Sequence, residues 1–211
     1  MNDDRATEAA PRPLPFSQLM HHILEQHSSE RLTLSELSAR LRDRSWGGLL
    51  LIFAAINLLP LPPGATAITG LPLLLIAAQM AAGVRHPWFP RRFDKRGIRT
   101  EHLARIAATI APWERRIERL LKPRLYALTN HRGARVIGIV SLLLSVILWL
   151  PIPLGNHAPA LALTLFALAL IYRDGILVIL GAAAAIGSVA LLAVTYAAAW
   201  WAAVQMWQHL G

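Results

Sequence analysis

Few groups in the apolar parts of this chain can ionise. Apart from tyrosines and the near-terminal His209, only His157, Arg173 and Asp174 do so within or between the long apolar blocks. General acid–base catalysis needs titratable groups that converge, and no pair of carboxylates is available there. His157 has the chemistry to titrate near neutral pH or relay a proton, although a lone histidine equally caps a turn or faces water. Arg173-Asp174-Gly175 is either a buried ion pair, costly enough to imply a role, or a turn stopped by its glycine. Asn57, Thr66, Thr69, Gln79, Asn156 and Tyr172 add neutral polar groups. His21-His22 with His27 lacks a metal-ligand spacing and reads as a solvated helix face. The chain has no P-loop, no G-x-S-x-G and no H-E-x-x-H, so no enzyme, metal or cofactor is expected.

The elements that must position these groups are apolar. Of 211 residues, 55% are hydrophobic and 16% charged, more apolar surface than a soluble domain of this size hides. Uncharged stretches run from Trp46 to Val84, from Val136 to Tyr172 and from Gly175 to the end. Each exceeds the roughly 20 residues that cross a bilayer as a helix. There is no cysteine, which excludes a disulfide framework and thiolate–metal sites. The first 44 residues lack the apolar core of a cleavable signal, so insertion is expected to use the internal segments.

The net charge of +9 is uneven: residues 85–135 hold 14 of the 21 Lys and Arg against four acids. Beside long apolar runs, such a segment reads as a cytoplasmic loop facing anionic lipid rather than a nucleic-acid surface. Within it, Ile98, Leu103, Ile106 and Ile110 form one stripe, and Trp113, Ile117, Leu120, Leu121 and Leu128 another. The pattern fits helices lying in the headgroup plane as well as helices packed on neighbours. Upstream, a Pro-rich tail over Ala10–Pro15 precedes Phe16, Leu19, Ile23 and Leu24 at helical spacing. Thr33-Leu34-Ser35-Glu36 is a capping-box pattern ahead of Leu37 and Leu41.

The chain also repeats itself. Leu59-Pro60-Leu61-Pro62-Pro63-Gly64 matches Leu150-Pro151-Ile152-Pro153-Leu154-Gly155 at an offset of 91, with nine identities in 35 positions from Leu49 to Gly83. Apolar sequences match easily by chance, so the weight rests on L-P-x-P-x-G. Pro60, Pro62, Pro151 and Pro153 remove donors and end each first leg, while Gly64 and Gly155 permit reversal. Each copy therefore reads as a helical hairpin. Such paired breaks mark a site near the bilayer midplane when they re-enter, or an ordinary surface turn when both legs span. Asn57, Thr66, Asn156 and His157 would supply the polar contacts of a site at the tips.

Basic flanks at Arg40, Arg42 and Arg44 and at Arg85, Arg91, Arg92, Lys95 and Arg96 put both ends of the first hairpin in the cytoplasm. Arg132 and Arg135 put the start of the second on that side. After the second hairpin, Gly181, Ala184, Ala185, Gly187 and Ser188 form small-residue faces for packing within the protein or across a homodimer. Trp200, Trp201 and Trp207 fit an interfacial belt.

The order T-L-S-E-L-x-x-R-L-R-D-R-S-W-G-G-L-L-L, N-L-L-P-L-P-P-G, G-L-P-L-L-L-I-A-A-Q-M, W-F-P-R-R-F, P-I-P-L-G-N, P-A-L-A-L and R-D-G resembles the exopolysaccharide synthesis ExoD family. The resemblance runs from about Phe16 into the last helix. Two positions depart from the family pattern: Tyr172 stands where an acid is expected, and His157 where an apolar residue is expected. The resemblance implies a multi-pass protein of the bacterial inner membrane that promotes exopolysaccharide production, and it supplies no catalytic set. A fainter likeness links the hairpins to the re-entrant hairpins of DedA-like proteins.

The expectation is an all-α polytopic membrane protein. It comprises a cytoplasmic tail with short helices over 1–44, hairpin 1 over 45–84, a basic amphipathic linker over 85–135, hairpin 2 over 136–174 and a C-terminal transmembrane helix over 175–211. Membrane lipid and polysaccharide-biosynthesis proteins are the expected partners. The alternatives are a small secondary transporter or ion-coupled carrier with its site between the tips, and a scaffold for a synthase complex.

Overall fold

The computed structural model describes residues 14–58, 65–95, 97–117, 125, 128–149 and 156–210. Both L-P-x-P-x-G breaks, with Pro60, Pro62, Gly64, Pro151, Pro153 and Gly155, lie outside the described residues, as do Leu120 and Leu121. The rest is almost wholly helical. Its helices are α1 (Phe16–Glu25), α2 (Leu34–Leu41), α3 (Ser45–Leu58), α4 (Ala65–Ala82), α5 (Arg91–Asp94), α6 (Thr100–Ile117), α7 (His131–Trp149), α8 (His157–Tyr172) and α9 (Gly175–Leu210). A 3-10 turn, Arg42–Arg44, joins α2 to α3. One short antiparallel pair, β1 (Arg31–Leu32) on β2 (Ile98–Arg99), ties the N-terminal region to the basic linker.

α3 is apolar on every side, and ten of its fourteen residues are buried. It is the central helix because neighbours cover it all round: α8 and α4 along its length, and α2 and α6 as well. α4 packs along α7, and α9 along α8. Contacts at the helix ends fix the directions. The Trp46 indole N–H donates to the Arg85 carbonyl, joining the start of α3 to the chain leaving α4. Arg135 Nε donates to the Ala81 carbonyl, joining the start of α7 to the end of α4. Gly47 abuts Ile171, joining the start of α3 to the end of α8. At the opposite end, Thr69 bonds Asn57, and Gly70 approaches Trp149. The pairs α3–α4 and α7–α8 thus run in the same sense, with the starts of α3 and α7 and the ends of α4 and α8 together at the arginine-rich end.

The outward faces stay apolar. Val136, Ile139, Leu143 and Val146 form a stripe on α7 that is 45–62% exposed. On α9, every residue from Ala193 to Ala198 is exposed. α7 and the Gly175–Ala198 part of α9 are long and apolar enough to cross a membrane, while the Ile68–Ala82 part of α4 and α8 are shorter apolar helices.

The structure corrects two local expectations and decides between two readings of a third. α7 begins at His131 rather than Val136, because Asn130 Oδ1 accepts the Gly133 N–H at 2.9 Å and caps the helix early. Gly175 does not stop α8; Arg173 takes the left-handed conformation (φ 53°), and Asp174 Oδ1 then accepts the Ile176 N–H to start α9. Of the two readings for the linker stripe, packing prevails for α6, whose Leu103, Ile106 and Ile110 are buried and which lies against α1. Pro112 sits inside α6 without ending it.

Candidate functional site

At the tip end, Asn57 is only 2% exposed. Its amide donates to the Phe53 carbonyl at 2.8 Å, and its oxygen accepts the Thr69 hydroxyl at 2.8 Å, so a polar clasp joins α3 to α4 inside apolar surroundings. Burying that amide is tolerated because both of its atoms are bonded. Thr66 lies in the first turn of α4. Asn156 precedes α8 without capping it through its side chain, and its buried Oδ1 has no hydrogen-bond partner among the described residues. His157 follows at the first position of α8 and is exposed. The structure thus brings Asn57, Asn156 and His157 to one end of the bundle, with Asn57 committed to its clasp and Asn156 and His157 at the rim.

The other end holds a constellation that the sequence did not reveal. Glu114 on α6 is 2% exposed. Its Oε1 accepts the Phe16 N–H at 2.8 Å and its Oε2 the Ser17 N–H at 2.9 Å, which caps the N-terminus of α1 with a carboxylate. The Tyr172 hydroxyl at the end of α8 also donates to Glu114, and accepts the Phe16 N–H at 3.2 Å. One carboxylate therefore binds α6, α1 and α8 together. A groove of about 260 Å³ between α1 and α6 runs past it, lined by Ser17, His21, Ala104 and Ala108 among others.

Nearby loops are pinned in the same manner. The Gln79 side chain both donates to and accepts from the Trp88 backbone, each at 2.7 Å, and Arg44 Nη1 donates to the Leu14 carbonyl at 2.6 Å. The three N-terminal histidines have separate partners: His21 pairs with Glu25, His22 with Gln26, and His27 with the Arg31 carbonyl. Among the described residues, no group of three or more His, Cys, Asp or Glu side chains is placed to hold a metal.

Gly181 meets the Phe166 ring, and Ala185 and Ser188 are buried, so that small-residue face of α9 is used within the protein. A Cβ on Gly187 would meet nothing within 4 Å.

Fold and site together define an all-helical protein with two helices able to cross a membrane and polar clusters that hold helix ends. A family model described as "Exopolysaccharide synthesis, ExoD" matches residues 16–194. The chain is 32% identical over 183 residues to Protein ExoD of Rhizobium meliloti, covering 82% of this chain and 74% of that one. It is 25% identical over 162 residues to an uncharacterized protein of Synechocystis sp., covering 76% of each. No solved structure matches. The chain belongs to the exopolysaccharide synthesis ExoD family.

Proposed function

We propose that the protein is a multi-pass protein of the bacterial inner membrane that promotes exopolysaccharide synthesis or export without itself making or breaking covalent bonds, and that it works through the tip end of its hairpins. The observation that carries this reading is the distribution of polarity. Apolar stripes on α7 and α9 face outward, as lipid requires. The arginines gather at one end, and Asn57, Asn156 and His157 stand at the other. Glu114, a buried carboxylate, is bonded to two backbone N–H groups and a hydroxyl, an arrangement that holds helices together rather than one poised to attack a substrate.

The unpartnered Asn156 Oδ1 favours a second reading, a small secondary transporter or ion-coupled carrier whose solute donates a hydrogen bond at the tips. The scaffold reading places polysaccharide-synthase partners on the basic linker. A homodimer through α9 would use the Gly187 face, since the face of Gly181, Ala185 and Ser188 is taken.

The test is complementation of a strain that lacks its own family member, read as exopolysaccharide yield from cells with confirmed membrane insertion. The wild-type chain restores production, and a chain carrying Gly64→Leu and Gly155→Leu inserts but does not. Equal yield from the double variant removes the role of the tips, and turnover of a lipid-linked sugar by the purified protein overturns the non-catalytic assignment. Solute or proton flux in proteoliposomes, lost in the same variant, would replace the first reading with the carrier.

A further inference from the structure

Two glycines outside the L-P-x-P-x-G copies occupy matching places. A Cβ on Gly47 in α3 would lie 2.8 Å from Ile171 Cγ1 and 2.9 Å from the Ala167 carbonyl oxygen on α8. A Cβ on Gly138 in α7 would lie 2.5 Å from the Ala81 nitrogen and 2.7 Å from Met80 Cβ on α4. Gly47 and Gly138 are 91 residues apart, the offset of the two L-P-x-P-x-G copies, and so are Met80 and Ile171, the residues they meet.

Arg44 and Arg135 keep the same separation of 91. Arg135 bonds the Ala81 carbonyl at the end of α4, and Arg44 lies within electrostatic reach of Tyr172 at the end of α8. Packing thus recovers, at positions chosen by close approach rather than by apolar similarity, the register that the prolines mark. The pairings agree: α3 lies on α8 and α4 on α7, each first leg against the second leg of the other hairpin. Because the starts of α3 and α7 share one end, the operation relating the halves is a two-fold axis along the bundle, not one across it.

We infer that the four-helix core is a duplicated hairpin in parallel orientation, so that the ends of α3 and α7 and the starts of α4 and α8, with Asn156 and His157, face the side of the membrane opposite the basic loops. The inference rests on the membrane reading above and deepens it. Inverted repeats place their equivalent ends on opposite membrane faces, whereas parallel repeats related by an axis along the membrane normal place them on the same face. α9 follows from the same geometry. It starts at the basic end beside the end of α8, runs antiparallel to α8 past the Gly181–Phe166 contact, and emerges on the tip side. At 1.5 Å per residue α9 reaches about 54 Å against about 24 Å for α8, so its Trp200–Trp201 pair stands well beyond the start of α8.

The native chain has no cysteine, so single-cysteine variants report without background. Arg42→Cys, Arg85→Cys, Arg132→Cys and Gln208→Cys are placed one at a time in the full chain and exposed to a membrane-impermeant maleimide, first in intact spheroplasts and then after opening. The first three label only after opening, and Gln208→Cys labels in intact spheroplasts. Labelling of Arg42→Cys and Arg85→Cys from opposite sides would establish an inverted arrangement and overturn the inference. Gln208→Cys that labels only after opening, or only in detergent, overturns it as well. A chain found outside the membrane fraction defeats the underlying membrane reading instead, so the two failures are distinguishable.

Discussion

Glu114 shows what a single buried charge does here: it satisfies the first N–H groups of α1 and receives the Tyr172 hydroxyl. Tyr172→Phe should cost about 1.5–3 kcal/mol, the usual worth of a hydrogen bond to a charged group. Glu114→Leu should cost more, because Phe16 and Ser17 then keep buried donors without this acceptor. Thermal unfolding in detergent measures both, and in the Glu114→Leu background the Tyr172→Phe change should cost far less than alone. Glu114 was hard to see in the sequence because it stands beside Arg115 and Arg116 in the strongly basic segment. Its signal was register, since it continues the buried stripe of Leu103, Ile106 and Ile110. Asn57 was legible as a polar group near a break. Its clasp to Thr69 was not, because a partner twelve positions away is set by how two helices pack.

Among the elements, α2 was the most legible. Thr33 and Glu36 form the reciprocal box that their spacing implies: Thr33 Oγ1 accepts the Glu36 N–H at 3.2 Å, and Glu36 Oε2 accepts the Thr33 N–H at 3.2 Å. Thr33→Ala should therefore destabilise α2 by about 1 kcal/mol. The bonds from the Thr33 backbone and hydroxyl hold the Glu36 carboxyl below its ordinary value. A lowered folded pKa means that the stabilisation is complete above the unfolded value and is lost as pH falls through the folded one. An acid titration of wild type against Glu36→Gln checks this; their stability difference should shrink only on the acid side of the ordinary carboxylate range. Boundaries set by side-chain caps were less legible. Asn130 starts α7 from a polar stretch that hydropathy alone leaves out, and the left-handed Arg173 ends α8 where a glycine stood ready two residues later.

At the scale of the molecule, composition revealed apolar helices, while the breaks that the prolines mark lie outside the described residues. Which leg lies on which was not readable, because apolar surfaces carry no address until small residues let two backbones approach. Gly47 and Gly138 supply that address. Enlarging either one to Ala should cost about 1–3 kcal/mol through overpacking. Gly187→Ala, which meets open space, should be neutral or stabilise α9 by up to about 1 kcal/mol. Comparing the three variants by unfolding in one detergent separates close packing from helix propensity. Equal effects at Gly47 and Gly187 would contradict the packing role.

The exchange of partners between hairpins also sets a timetable for synthesis. α3 finds its place against α8 only after about 120 further residues have been made, which at about 5–20 residues per second is a wait of several seconds or more. In the proposed membrane setting, lipid is an adequate neighbour for its leucines during that interval, but a bare amide would not be tolerated there. The Asn57 clasp closes within the first hairpin, on Thr69 and the Phe53 carbonyl, and needs nothing translated later. On the proposed membrane reading, the α3–α4 pair is thus equipped to stand alone in the bilayer until α7 and α8 arrive.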